Sequence, residues 1–164
     1  MKKRIALVLV LLLVGGMLTA CVRSPQPDEV FFAFKERYAL PDGKIYRTTA
    51  STFSDELLTH ELFRQLYARP DGSDDFEDVE SCVVWQGTSL DYVYEMGVFL
   101  CTDGDAARSV LLMCKNRLRL IRSLRNYTDT TAADTAVLLL RGRMVIFMVL
   151  PDNALAEKVI DRVL

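Results

Sequence analysis

The chain has 164 residues, 51% of them hydrophobic, and a formal net charge of −2. That length suffices for one domain with a real core. The mildly acidic balance argues against wholesale nucleic-acid binding, and a single histidine excludes any mechanism that needs two.

Lys2, Lys3 and Arg4 precede an unbroken apolar run from Ile5 to Val14. A helix needs about 20 residues to cross the ~30 Å hydrocarbon core, so this run is too short to span it. Basic residues followed by a short apolar run form the pattern of a signal peptide. Gly15 and Gly16 follow, then Leu18-Thr19-Ala20-Cys21. This tetrapeptide resembles the lipobox of bacterial lipoproteins. The resemblance implies cleavage between Ala20 and Cys21 and a diacylglycerol on the Cys21 thiol. Residues 1–20 are then the signal peptide, and the remaining chain is anchored at the outer face of the cytoplasmic membrane. Two acyl chains hold such a protein stably. The signal peptide carries three cations and no acid, so its removal takes the net charge from −2 to −5.

Residues 21–29 contain Pro25 and Pro27 and few apolar groups, which suits a lipidated tether. Residues 30–53 admit two readings. Pro41-Asp42-Gly43 is a good turn sequence, so a hairpin fits, and a short helix over 28–38 competes with it. The α+β domain is expected over 54–164. Ser54 reads as a helix cap with Asp55 and Glu56 in the first turn, and apolar residues at helical spacing run on to about residue 68. Six acids between Asp71 and Glu80 suggest a solvated linker.

One pattern then occurs twice. Ser81–Gln86 and Tyr92–Cys101 read as strands, and Asp103 or Asp105 starts a helix to about Arg125. Thr135–Leu140 and Met144–Leu150 read as strands joined at Arg141-Gly142-Arg143, and Asp152 or Asn153 caps a last helix to about Val163. Arg141 and Arg143 at the middle of the apolar stretch 136–150 argue against a membrane span. Two strand–strand–helix units predict a two-layer α+β fold: a four-stranded, mostly antiparallel sheet with helices on one face, preceded by a helix. Tyr92, Tyr94, Met96, Val98 and Leu100 alternate onto one side. They are expected to meet the helix stripe of Val110, Leu111, Cys114, Leu118 and Ile121.

The order of features also resembles the domain-of-unknown-function 4358 family of lipoproteins from Gram-positive bacteria. The matching features are Tyr94-Glu95-Met96-Gly97-Val98-Phe99, the following helix with Arg117, Tyr127 after it, and the Gly142 turn before an apolar strand. They cover residues 54–164. The resemblance implies a lipid-anchored extracytoplasmic domain and carries no activity, cofactor or catalytic residue.

Chemistry-bearing residues are few. His60, beside Glu61, has no second histidine with which to build a zinc site. Cys82, Cys101 and Cys114 form no C-x-x-C pair. Cys114 sits on the apolar helix stripe, and Cys82 and Cys101 fall on adjacent strands, where a disulfide competes with free thiols. Lys115, Arg119 and Arg122 share one helix face with Arg117 and Arg125 nearby. This is either a solvated face or a surface attracted to anionic lipid heads or wall polymers. Glu95 is the one carboxylate in a strongly apolar strand, on the side opposite Tyr94 and Met96. It is either an open-face residue or part of a binding surface with Arg117, Arg119, Arg122 and Tyr127. Trp85 is a second aromatic candidate, equally suited to the core. No residue qualifies as catalytic or as a metal ligand. The reading that follows is a non-enzymatic, lipid-anchored binding or interaction module. The alternatives are an envelope enzyme with a carboxylate-based site and an accessory subunit with an envelope protein partner.

Overall fold

The computed structural model describes residues 24–69 and 71–164. The signal peptide, the lipobox and Cys21 lie outside the described residues. Among the described residues, four helices flank an open, fully antiparallel sheet of five strands. In chain order the elements are α1 (Pro27–Lys35), β1 (Gly43–Arg47), α2 (His60–Tyr67), β2 (Val79–Gly87), β3 (Glu95–Cys101), α3 (Gly104–Ser123), β4 (Val137–Arg141), β5 (Met144–Val149) and α4 (Asn153–Ile160). The strand order is β1-β2-β3-β5-β4.

The sheet has one strand more than the duplication predicts. Residues 30–53 supply it, as a helix and then a strand rather than a hairpin. Pro27 at the first helical position, with Glu29 reaching back to the Gln26 N–H at 2.9 Å, starts α1. After the 41–43 turn, β1 pairs with β2 from Gly43↔Gly87 to Arg47↔Val83.

Helices cover both faces, which corrects the two-layer expectation. Phe63, Tyr67, Phe99, Phe147 and the α3 stripe of Val110, Cys114, Leu118 and Ile121 form the core on one face. Phe31, Phe34, Trp85, Met96, Ile146 and Ile160 form the core on the other, under α1 and α4. The expected partnership of α3 is therefore inverted. Met96 and Val98 turn to α1 and α4, while Phe99 and Cys101 meet α3. Every residue of β3 and β5 is buried. A strand buried on both faces has no polar side, so alternation separates its two residue sets without saying which helix covers each.

The helix expected from Ser54 begins later. The Ser54 hydroxyl accepts from the Glu56 N–H (3.1 Å) in a turn, and Leu57 bridges to Arg47. Thr59 is the true cap, accepting from the Leu62 N–H at 3.1 Å. Asp103 and Asp152 cap α3 and α4, each accepting from a first-turn N–H. The β4–β5 hairpin turns at Gly142, whose φ of +59° suits a residue without Cβ.

Candidate functional site

Glu95 opens β3 and is 1% exposed, so it is a buried residue rather than an open-face one. An isolated carboxylate in such surroundings costs many kcal/mol unless it is paired. Arg117, on the inward side of α3, supplies the pairing. Its Nη2 donates to Glu95 Oε2 at 2.6 Å, and its Nε donates to Oε2 at 3.0 Å and Oε1 at 3.3 Å. Tyr67, the last residue of α2, donates its hydroxyl to Oε1 at 2.8 Å. Gln86 on β2 donates to Oε2 at 3.3 Å. Four elements are thus tied at one carboxylate.

Gly97 makes room for this arrangement. A Cβ there would lie 2.4 Å from the Phe99 ring and 3.4 Å from the Tyr67 hydroxyl. Burial, followed by the Glu95 charge, raises the Tyr67 phenol well above its ordinary value and keeps it a donor. Burial by itself would lower the Arg117 pKa, but the Glu95 charge and hydrogen bonds outweigh that and leave it raised.

A second buried acid sits close by. Asp75 is 6% exposed and belongs to the stretch expected to be a solvated linker. It receives Arg69 Nη2 at 2.6 and 2.8 Å and the Ser109 hydroxyl at 3.0 Å. This ties the segment after α2 to the first turns of α3. Asp74 also has a partner, His60 Nε2 at 3.0 Å, with the imidazole stacked on Phe76.

Between α2 and α3 lies a cleft of about 510 Å³. Leu66, Tyr67 and Arg69 line one side, and Asn116, Arg117, Arg119 and Leu120 the other. The carboxylates of Glu95 and Asp75 lie behind this lining, so the wall itself presents guanidinium, amide and apolar groups.

Of the five surface candidates, the structure joins Glu95 to Arg117 and brings Arg119 to the same cleft. Arg122 does not join them. Its Nε and Nη2 donate to the Ala133 carbonyl at 3.1 and 2.7 Å, tying α3 to the approach to β4. Tyr127 is also apart and 86% exposed, and Leu90, on the β2–β3 connection, is 91% exposed. Their loops are joined by the Thr128 hydroxyl donating to the Leu90 carbonyl (2.9 Å) and the Asp129 N–H to the Asp91 carbonyl (2.9 Å). Trp85 is buried on the other face of the sheet. Tyr67, Arg69, Gln86 and Asp75 escaped the sequence reading. A lone acid within an apolar strand was the one signal that such partners must exist.

Cys82, Cys101 and Cys114 are buried free thiols. Cys82 stands opposite Phe99 and Cys101 opposite Val79, so the register holds the two apart. Among the described residues, no group of three or more His, Cys, Asp or Glu is placed to hold a metal ion.

No family model, curated protein or solved structure matches the chain. The likeness to the domain-of-unknown-function 4358 family therefore rests on the quoted motifs alone.

Proposed function

We propose that this chain is a lipid-anchored extracytoplasmic binding module. Cys21 carries the diacylglycerol at the outer face of the cytoplasmic membrane, and the α2–α3 cleft takes a ligand bearing an oxyanion. The lipobox supports the anchor. One observation carries the binding reading: Arg69, Arg117 and Arg119 line one concave site, where Asp75 and Glu95 pair with the first two and Arg119, donating only to the Asn116 amide oxygen among the described residues, keeps its charge for a ligand. Planar N–H forks match carboxylate and phosphate oxygens, and Leu66 and Leu120 offer apolar contact beside them.

A carboxylate-based enzyme is the weaker reading at this site. Both Glu95 oxygens already accept donors, so the group has little capacity left to take a proton from a substrate. The accessory-subunit reading draws on two exposed large apolar residues, Leu90 and Tyr127, on loops joined by backbone and hydroxyl hydrogen bonds.

Titration of the lipidated protein with inorganic phosphate, followed by NMR of arginine side chains, tests the cleft. Shifts at Arg117 and Arg119 that disappear in Arg119→Glu are expected. Shifts spread over other surface cations, and unchanged in that variant, would refute the assignment.

A further inference from the structure

We infer that the domain stands end-on, with the β4–β5 turn toward the lipid. The cleft is then presented to the extracytoplasmic space, and its oxyanion belongs to a molecule there rather than to the headgroups of its own bilayer. This rests on the lipid-anchor reading above. Ser24 and Pro25 share a cavity of about 400 Å³ with Leu100, Arg141, Arg143 and Leu164. The chain therefore enters the domain where β3 ends and β4 turns into β5. Cys21 precedes Ser24 by three residues, a reach of about 10 Å at most.

The cleft is at the other end. Glu95 begins β3, roughly 20 Å from its Cys101 end at about 3.3 Å per residue. Helix α3 starts beside the tethered end at Gly104. At 1.5 Å per residue, Arg117 and Arg119 lie about 20 Å along it. Attraction between basic groups and an anionic surface fades within a Debye length, about 8 Å at physiological ionic strength.

The two ends also differ in charge. The tethered end is mixed in sign: Asp103 and Asp105 stand at the start of α3, and Asp105, Asp161 and Glu80 pair with Arg108, Arg141 and Arg143. Lys115, Arg117, Arg119 and Arg122 occupy the far half of α3, and Arg125 the turn that follows it. Arg141 and Arg143 at the tethered end are each paired with an acid, so that end presents little net positive charge to an anionic bilayer, and the tether rather than charge attraction sets the orientation.

The test uses the lipidated protein in vesicles of phosphatidylcholine and phosphatidylglycerol that contain a headgroup nitroxide lipid. A fluorophore is placed at Leu164→Cys or at Leu90→Cys; the three buried native thiols do not compete for it. Quenching several-fold stronger at 164 than at 90 is expected, with inorganic phosphate affinity unchanged when phosphatidylglycerol is omitted. Equal or reversed quenching, or competition between phosphatidylglycerol and phosphate, overturns the inference while the anchor stands. Failure of the protein to float with the vesicles overturns the anchor and this orientation together.

Discussion

Arg117 and Glu95 form an ion pair in which the carboxylate is 1% exposed and the guanidinium side chain 13%. Twenty-two residues of chain separate them, and the pair fixes the middle of α3 onto the first residue of β3. Everything assigned to the cleft depends on this contact, because it orients one wall guanidinium and holds the Tyr67 hydroxyl at the other.

Breaking the pair from one side leaves a buried charge without its counterion. Arg117→Met is expected to cost about 3–5 kcal/mol, while the double variant Glu95→Gln/Arg117→Met recovers most of that loss. Urea unfolding of the single and double variants, analysed as a double-mutant cycle, measures this. A double variant as unstable as the sum of its singles would show that the pair is not coupled.

Gly97→Ala places a methyl group where the Phe99 ring lies. Overpacking of this kind costs about 1–3 kcal/mol. Because Tyr67 borders the same space, the variant is also expected to shift the Tyr67 ring signals in NMR. Stability and Tyr67 shifts both unchanged would contradict the packing described.

The three thiols lie in apolar surroundings that disfavour the thiolate. Burial raises all of them, Cys101 to about 12. Native protein in neutral buffer should therefore leave them unlabelled by maleimide, and unfolding in urea should expose all three. Intact mass after a timed pulse reads the difference. Rapid native labelling at Cys114 would place that residue outside the core.

Raised pKa values also predict an alkaline limit to stability. The thiols and the Tyr67 phenol hold their protons more tightly in the folded state than their ordinary values of 9.0 and 10.0. Stability from these groups is thus complete below about pH 9. It is lost as pH rises past the unfolded values toward the raised, folded ones. Thermal unfolding between pH 7 and 11 should show Tm falling from about pH 9 upward, with a shallower fall in Cys82→Ala/Cys114→Ala. A flat profile through pH 11 would contradict the assigned burial.

Much of this fold was legible from local signals. The four strands after residue 78 and the Asp103 and Asp152 caps follow from alternation, turn residues and side-chain acceptors close in sequence. The layering was not legible, because β3 and β5 are apolar on both sides and either side could face either helix. The strand Gly43–Arg47 was hidden because it is short and half-buried at a sheet edge. In the site, Glu95 stood out as an acid among apolar neighbours. Its partners Tyr67 and Gln86 lie 28 and 9 residues away and follow no local rule. Arg117 looked like one more cation of a solvated helix face, and only the inward turn of α3 singles it out.

The mass of the protein purified from its native membrane tests the lipid anchor directly. Loss of residues 1–20, a new amino terminus at Cys21 and the added mass of a diacylglycerol on that residue are expected, with Cys21→Ala abolishing the addition. A chain that retains Met1–Ala20, or that begins at Cys21 with a free thiol, would contradict the anchor.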